Sequence, residues 1–232
     1  MSGEQQDMTL PDEVQHAESD MGCLRTLPRA IYYSLRLLFS QYLGNPKQRL
    51  SLIERLHAKG IMNDHLYLIA RGRELYKGKR YEEAFTSWSI ALHMKFSILV
   101  SWWDYVLAAF WSGHYSEALR VLDRRLQRHP RDADAWFWNI RACVLNELAR
   151  YEEAIDSVDR ALAINPQYVF ALCTKGEILT AVGQYGNAII WLEKAIQGKE
   201  YSAWKYLAVA LRGLGREEEA QQAEAKGRAA YR

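Results

Sequence analysis

Six histidines (His16, His57, His65, His93, His114, His129) and three cysteines (Cys23, Cys143, Cys173) are the residues of this chain best suited to metal or nucleophilic chemistry. Their spacing supports neither. No two histidines stand three or four residues apart, so no helical turn offers a pair of imidazoles to one metal ion. The cysteines lie 120 and 30 residues apart, which matches neither a zinc-ligand spacing nor a disulfide framework. An odd, sparse cysteine count suits a reducing compartment, and a cytoplasmic location is expected. Cys143 and Cys173 read as small core residues. There is no Gly-rich phosphate loop ending in Lys-Ser/Thr, no G-x-S-x-G and no H-E-x-x-H. The expectation is a protein that is not an enzyme, with no cofactor and no metal. One acidic pattern recurs: "RYEEA" occurs at Arg80–Ala84 and again at Arg150–Ala154. Glu82/Glu83 and Glu152/Glu153 would then stand in the first turn of a helix, where carboxylates complement the helix dipole.

The elements that carry these residues show in the charge and apolar patterns. The net charge of +2 is unevenly spread. Residues 1–21 hold six acids (Glu4, Asp7, Asp12, Glu13, Glu18, Asp20) and no Lys or Arg. Thirty basic residues against the other twenty-two acids give the remainder +8. An acidic, apolar-poor start of this kind is expected to be a disordered arm over 1–28. The most apolar run, Phe96–Trp111, has 16 residues including Asp104, short for a membrane span and better suited to a buried helix. Residues 29–60 read as two helices, from about Arg29 to Leu43 and, past Gly44–Pro46, to about Lys59. They could cap the remainder of the chain or dock on a partner or membrane surface.

From there on the chain repeats itself. Equivalent alanines recur at Ala84, Ala118, Ala154, Ala188 and Ala220, at steps of 34, 36, 34 and 32. Tyr81, Tyr115, Tyr151 and Tyr185 precede four of them by three residues. Trp88, Leu122, Val158 and Leu192 follow by four, on the same helical face. Sixteen residues before four alanines stands a large apolar anchor: Leu68, Trp102, Leu172 and Trp204. Glycines Gly78, Gly113, Gly183 and Gly215 end that first helix. Pro130 and Pro166 open the next unit. Each unit is therefore a helix A, a tight turn and a helix B. A period near 34 marks a solenoid, in which stacking of units completes a core that no unit closes by itself.

This pattern resembles the tetratricopeptide-repeat family over about Asp64–Arg232. Gly72 and Gly176 match the family's helix-A glycine, while Val106 and Ala208 replace it in units two and five. The expected fold class is all-α, a right-handed superhelical solenoid of antiparallel helix pairs. It would comprise about five units over 61–232 plus the N-terminal helical pair. The fifth unit carries Glu217, Glu224 and Gly227 at the positions of tyrosine, apolar and small residues, as a polar C-terminal cap would.

The resemblance implies that helices A line a concave groove and that the chain is a protein–protein interaction scaffold, part of a larger complex, with a protein or peptide partner. Projecting each helix A from its anchor, with Trp136 serving in the third unit, gives a candidate groove. It comprises Arg73 with Ile69; Trp103, Asp104, Leu107, Phe110 and Trp111; Phe137, Trp138 and Arg141; Thr174 and Glu177 with Phe170; and Lys205, Tyr206 and Val209. On this projection Trp102 and Trp136 belong to the core, and Trp103, Trp111 and Trp138 to the groove. Some family members clamp a chaperone's C-terminal carboxylate with Lys, Asn and Arg. The first-unit Lys and Asn positions are Ile69 and Arg73 here and the second-unit Asn position is Asp104, so no such clamp is expected. An alternative surface is basic: Arg120, Arg124, Arg125, Arg128 and Arg131 on helix B of unit two could contact an acidic partner or a nucleic-acid backbone.

One irregularity remains. Trp136 precedes Ala154 by 18 residues rather than 16, and the following turn, "LNELARY", has no glycine. A lengthened or irregular helix A is expected in the third unit.

Overall fold

The computed structural model describes residues 46–60, 64–92 and 102–230. The acidic arm, Cys23 and the expected helix Arg29–Leu43 lie outside the described residues. Every element within them is helical: α1 (Pro46–Ala58), α2 (Asp64–Lys77), α3 (Tyr81–Leu92), α4 (Trp102–Trp111), α5 (Tyr115–Arg128), α6 (Ala135–Glu147), α7 (Tyr151–Ile164), α8 (Val169–Ala181), α9 (Tyr185–Gln197), α10 (Ala203–Gly213) and α11 (Glu217–Ala230), with a 3-10 turn at Pro130–Asp132. The fold is all-α, a helical solenoid. It divides into two compact units, up to Ala108 and from Ala109, a division that falls inside α4.

In the first unit α1 packs on α2, and α2 on α3. Ile53, Leu56 and Ala70 form a small core with Leu52, Leu66 and Tyr67 against it. Arg49 Nε donates to Glu74 Oε2 at 2.6 Å, both side chains largely buried. A buried charge is tolerable only when paired in this way. Gly72 lets α2 approach α3: an added Cβ would stand 2.5 Å from Trp88 Nε1, which itself donates to Ile69 O at 3.2 Å.

In the second unit each helix A packs on its own helix B: α6 on α7, α8 on α9, α10 on α11. The helices A also form one layer, α6 against α8 and α8 against α10. The repeated alanines explain the close approach. Ala118, Ala154, Ala188 and Ala220 are all fully buried, and backbones draw together where side chains are small. Gly176 does the same from the opposite helix, since a Cβ there would lie 2.6 Å from Leu192 Cδ2.

The A–B turns share one geometry. The amide of Arg80, His114, Arg150, Gln184 and Arg216 donates to the carbonyl five residues back at 2.8–2.9 Å. This closes a Schellman turn, which needs a left-handed residue just before the donor. Gly113, Gly183 and Gly215 supply it at φ 82°, 78° and 74°; Lys79 and Ala149 supply it at 59° and 56°. The first turn thus uses Lys79 for this conformation rather than Gly78. The third forms the same turn without glycine.

The irregular spacing has a different cause from the expected one. Helix α6 has 13 residues, like α8, and ends in the same turn. The two extra residues precede it, in the 3-10 turn Pro130–Asp132. Trp138, not Trp136, is therefore the third anchor, 16 residues before Ala154. The expectation of a lengthened helix A is corrected: Pro130 starts a turn long enough to absorb both residues before Asp134 caps the helix on the Phe137 amide at 2.8 Å.

Candidate functional site

The corrected anchor reorders the third unit's faces. Trp138 is 8 % exposed and packs as core, with the Arg160 guanidinium 4.6 Å from its ring centroid. Phe137 is buried as well. Arg141 stands three after Trp138, as Arg71 stands three after Leu68, and both arginines do the same work. Arg71 Nη1 donates to Ser87 Oγ and Arg141 Nη1 to Ser157 Oγ, each at 2.7 Å. Arg141 Nε also reaches Asp123 Oδ1 at 3.0 Å. Phe137, Trp138 and Arg141 are thus corrections to the candidate groove: the two-residue shift leaves Phe137 and Trp138 buried and turns Arg141 onto helices B.

The face they vacate belongs to Trp136, Asn139, Ile140, Cys143 and Asn146. In the second unit these residues line a cavity of about 580 Å³ together with Phe110, Trp111 and Tyr115 at one end and Phe170, Thr174, Glu177 and Tyr206 at the other. Of the residues projected onto the candidate groove, Phe110, Trp111, Phe170, Thr174, Glu177 and Tyr206 line this cavity. Arg73, Trp103 and Asp104 belong to the first unit and do not line this cavity. There Arg73 is exposed, and Trp103 meets Trp102 edge-on at 5.0 Å between ring centroids.

The walls are aromatic and the floor is polar. Trp111 and Phe170 are exposed, 58 % and 53 %. Cys143 Sγ lies 3.5 Å from Thr174 Oγ1, and Cys173 Sγ 3.5 Å from Ser202 Oγ, so each thiol bridges to the next helix A or its lead-in. Burial raises both thiols, Cys143 to about 12 and Cys173 to about 11. Neither is a nucleophile at neutral pH. Asn146 Nδ2 donates to Glu177 Oε1 at 3.4 Å. The nearby Tyr206 hydroxyl favours the charged form of Glu177. Burial holds the Glu177 carboxyl above the usual carboxylate value, with the nearby Glu147 adding to it.

Two acceptors on this floor have no partner among the described residues: Asn139 Oδ1 and Asn146 Oδ1. Asn139 is only 5 % exposed. A buried polar atom without a hydrogen bond costs about 1–3 kcal/mol, so it marks a place where a donor belongs.

The helix-B arginines are partly spoken for. Arg120 binds Glu117 at 2.8 Å through Nε, and Arg125 binds Asp132 at 3.0 Å. Arg124 and Arg128 are exposed, as is Arg131, which lies in the 3-10 turn after helix B rather than on it. The arginine of each "RYEEA" is also engaged. Arg80 grips Glu83 at 2.6 and 2.7 Å. Arg150 grips Glu153 at 2.7 and 2.8 Å. Arg216 repeats the fork on Glu219 at 2.7 and 2.6 Å. Glu83 and Glu153 thus clasp an arginine beside the helix start as well as complementing its dipole.

Among the described residues no group of three His, Cys, Asp or Glu side chains could hold a metal ion. No described helix is long and apolar enough to cross a membrane.

A tetratricopeptide-repeat family model matches residues 99–142, and a second matches 137–168 and 171–197. No curated protein matches the chain. Solved structures do. The crystal structure of MamA protein is 19 % identical, with a TM-score of 0.54, covering 72 % of this chain and 91 % of its own. A thermophilic TPR protein from Thermus thermophilus is 20 % identical, with a TM-score of 0.58 and coverage of 70 % and 89 %. YrrB, described as a TPR protein with an unusual peptide-binding site, is 17 % identical, with a TM-score of 0.50 and coverage of 71 % and 85 %. At these identities the likeness is one of fold.

Proposed function

Since the chain belongs to the tetratricopeptide-repeat family, we propose that it is a non-catalytic interaction scaffold, a subunit of a larger complex, whose groove over α6, α8 and α10 holds a segment of a partner protein. The carrying observation is Asn139 Oδ1, buried without a donor at the base of an aromatic-walled groove. A bound segment supplies that donor and covers Trp111 and Phe170. Exposed aromatic side chains around a desolvated polar floor are the usual makings of a binding hot spot. YrrB, which shares the fold, is described as having a peptide-binding site. The helix-B arginine patch is the weaker reading, as a contact for an acidic partner or nucleic acid: Glu117 and Asp132 already hold two of its five guanidinium groups.

Selection of peptides from a displayed random library against the full chain tests the proposal. Selected peptides should change tryptophan emission and lose affinity on Trp136→Ala. Binding that survives this change, and is lost instead on Arg124→Glu, would move the site to helix B.

A further inference from the structure

We infer that the segment held in this groove is cationic, presenting an arginine or lysine side chain to Glu177, Asn139 and Asn146; the inference rests on the scaffold reading above. Among the described residues, no Lys, Arg or His lines the cavity, whereas Glu147, Glu177 and Glu200 do. Lys205, which is exposed and does not line the cavity, holds its ammonium 5.3 Å from the Tyr206 ring centroid and partly offsets the raised Glu177 carboxyl.

The hydrogen-bonding ledger points the same way. Asn146 Nδ2 is committed to Glu177 Oε1, which fixes the amide's orientation and leaves Oδ1 a buried acceptor without a donor. Asn139 Oδ1 is likewise an acceptor in want of a donor. Asn146 donates to Glu177 and Ser202 Oγ to Glu200, so two of the groove's donors already serve its carboxylates. The charged groups that line the space are all carboxylates. A carboxylate or phosphate ligand adds acceptors to acceptors and is repelled. A guanidinium brings five N–H donors and no acceptor, and its flat faces stack on aromatic rings. Trp111, Trp136 and Tyr206 line the same space and offer those rings to a cation within about 6 Å. An ammonium satisfies the charge with fewer donors. This charge preference is opposite to that of a groove built to clamp a terminal carboxylate.

The chain itself contains a stretch of this chemistry. Residues 22–45 hold Arg25, Arg29 and Arg36 and no Asp or Glu. We assign the groove to a separate partner, and make occupancy by this stretch an outcome of the test.

The experiment is selection of a displayed random dodecapeptide library on the full wild-type chain and on Glu177→Gln, with far-ultraviolet circular dichroism confirming that the variant is folded. The expected result is a wild-type pool enriched in Arg and Lys, with the best selected peptide bound about tenfold or more weakly by Glu177→Gln, as loss of a charged hydrogen bond implies. Asn146→Leu should also weaken it. A pool rich in Asp and Glu, or without charge preference, overturns the inference and leaves the scaffold reading standing. Cationic peptides indifferent to Glu177→Gln overturn it as well, because their site is elsewhere. No selected binder from either chain, nor from the triple variant Arg25→Glu, Arg29→Glu, Arg36→Glu, overturns both readings. Binders obtained only with the triple variant Arg25→Glu, Arg29→Glu, Arg36→Glu would identify the chain's own stretch as the occupant and overturn the assignment to a separate partner.

Discussion

Asn146 of α6 and Glu177 of α8 meet across adjacent helices A at 3.4 Å, and the contact leaves the asparagine oxygen without a partner in a buried floor. A pair joined in this way fixes both side chains while satisfying neither. Its consequences for stability can be measured without any ligand.

Glu177 is held above the ordinary value of 4.5, first by burial and then by Glu147, against the opposing effects of Tyr206 and Lys205. The folded protein therefore keeps this proton after the unfolded chain has lost it. The associated stability is fully present below about pH 4.5 and is lost as pH rises through the folded value. Glu177→Gln should remove that loss. Urea titrations from pH 4 to 7 should show the variant gaining on wild type as pH increases. A constant difference, or one that shrinks, would contradict the burial assigned to this carboxyl.

The two thiols should be inert. With Cys143 raised to about 12 and Cys173 to about 11, little thiolate exists at pH 8. Iodoacetamide labelling, read by peptide mass spectrometry, should proceed at least about a hundredfold more slowly at both positions in the native protein than in urea. Comparable rates in the two states would show that neither thiol is desolvated.

Trp136 and Trp138 should separate cleanly by substitution. Trp138→Ala removes a buried anchor and should cost about 3–5 kcal/mol. Trp136→Ala should cost much less stability and weaken peptide binding. The reverse ordering would restore Trp136 as the anchor.

Backbone conformation gives opposite signs at two small residues. Ala149 sits at φ 56°, so Ala149→Gly should relieve left-handed strain and stabilise by roughly 1 kcal/mol, a rise of about 2–4 °C in Tm. Gly176→Val should destabilise by about 1–3 kcal/mol, because its Cβ meets the fully buried Leu192. Thermal unfolding of both variants decides this.

The helical repeat was legible because several positions recur in phase: the alanines, their tyrosines and the anchors. The helix start at Pro46 was legible from Gly44–Pro46. The third unit's groove was not. "AWFWNI" offers two tryptophans two residues apart, and either satisfies an apolar anchor pattern. What separates them is where the extra residues lie. A regular count of 16 back from Ala154 selects Trp138, a signal that the sequence contained, and the 3-10 turn after Arg128 then accounts for the remainder. The polar floor was hidden for another reason. Asn139 and Asn146 acquire their meaning from burial beside α8, which no spacing encodes. Arg141 was misjudged because side-chain length is not direction: it turns back to Ser157 instead of facing the groove.

The central claim is that a partner segment binds on the α6–α8–α10 face. The most direct measurement is the side-chain amide resonances of Asn139 and Asn146 in a heteronuclear NMR titration with the tightest library-selected peptide. Both NH₂ pairs should shift and saturate with the peptide, alongside the Trp111 and Trp136 indole signals. Saturable binding that leaves these resonances in place and moves those of α5 and the following turn, around Arg120–Arg131, would contradict the account.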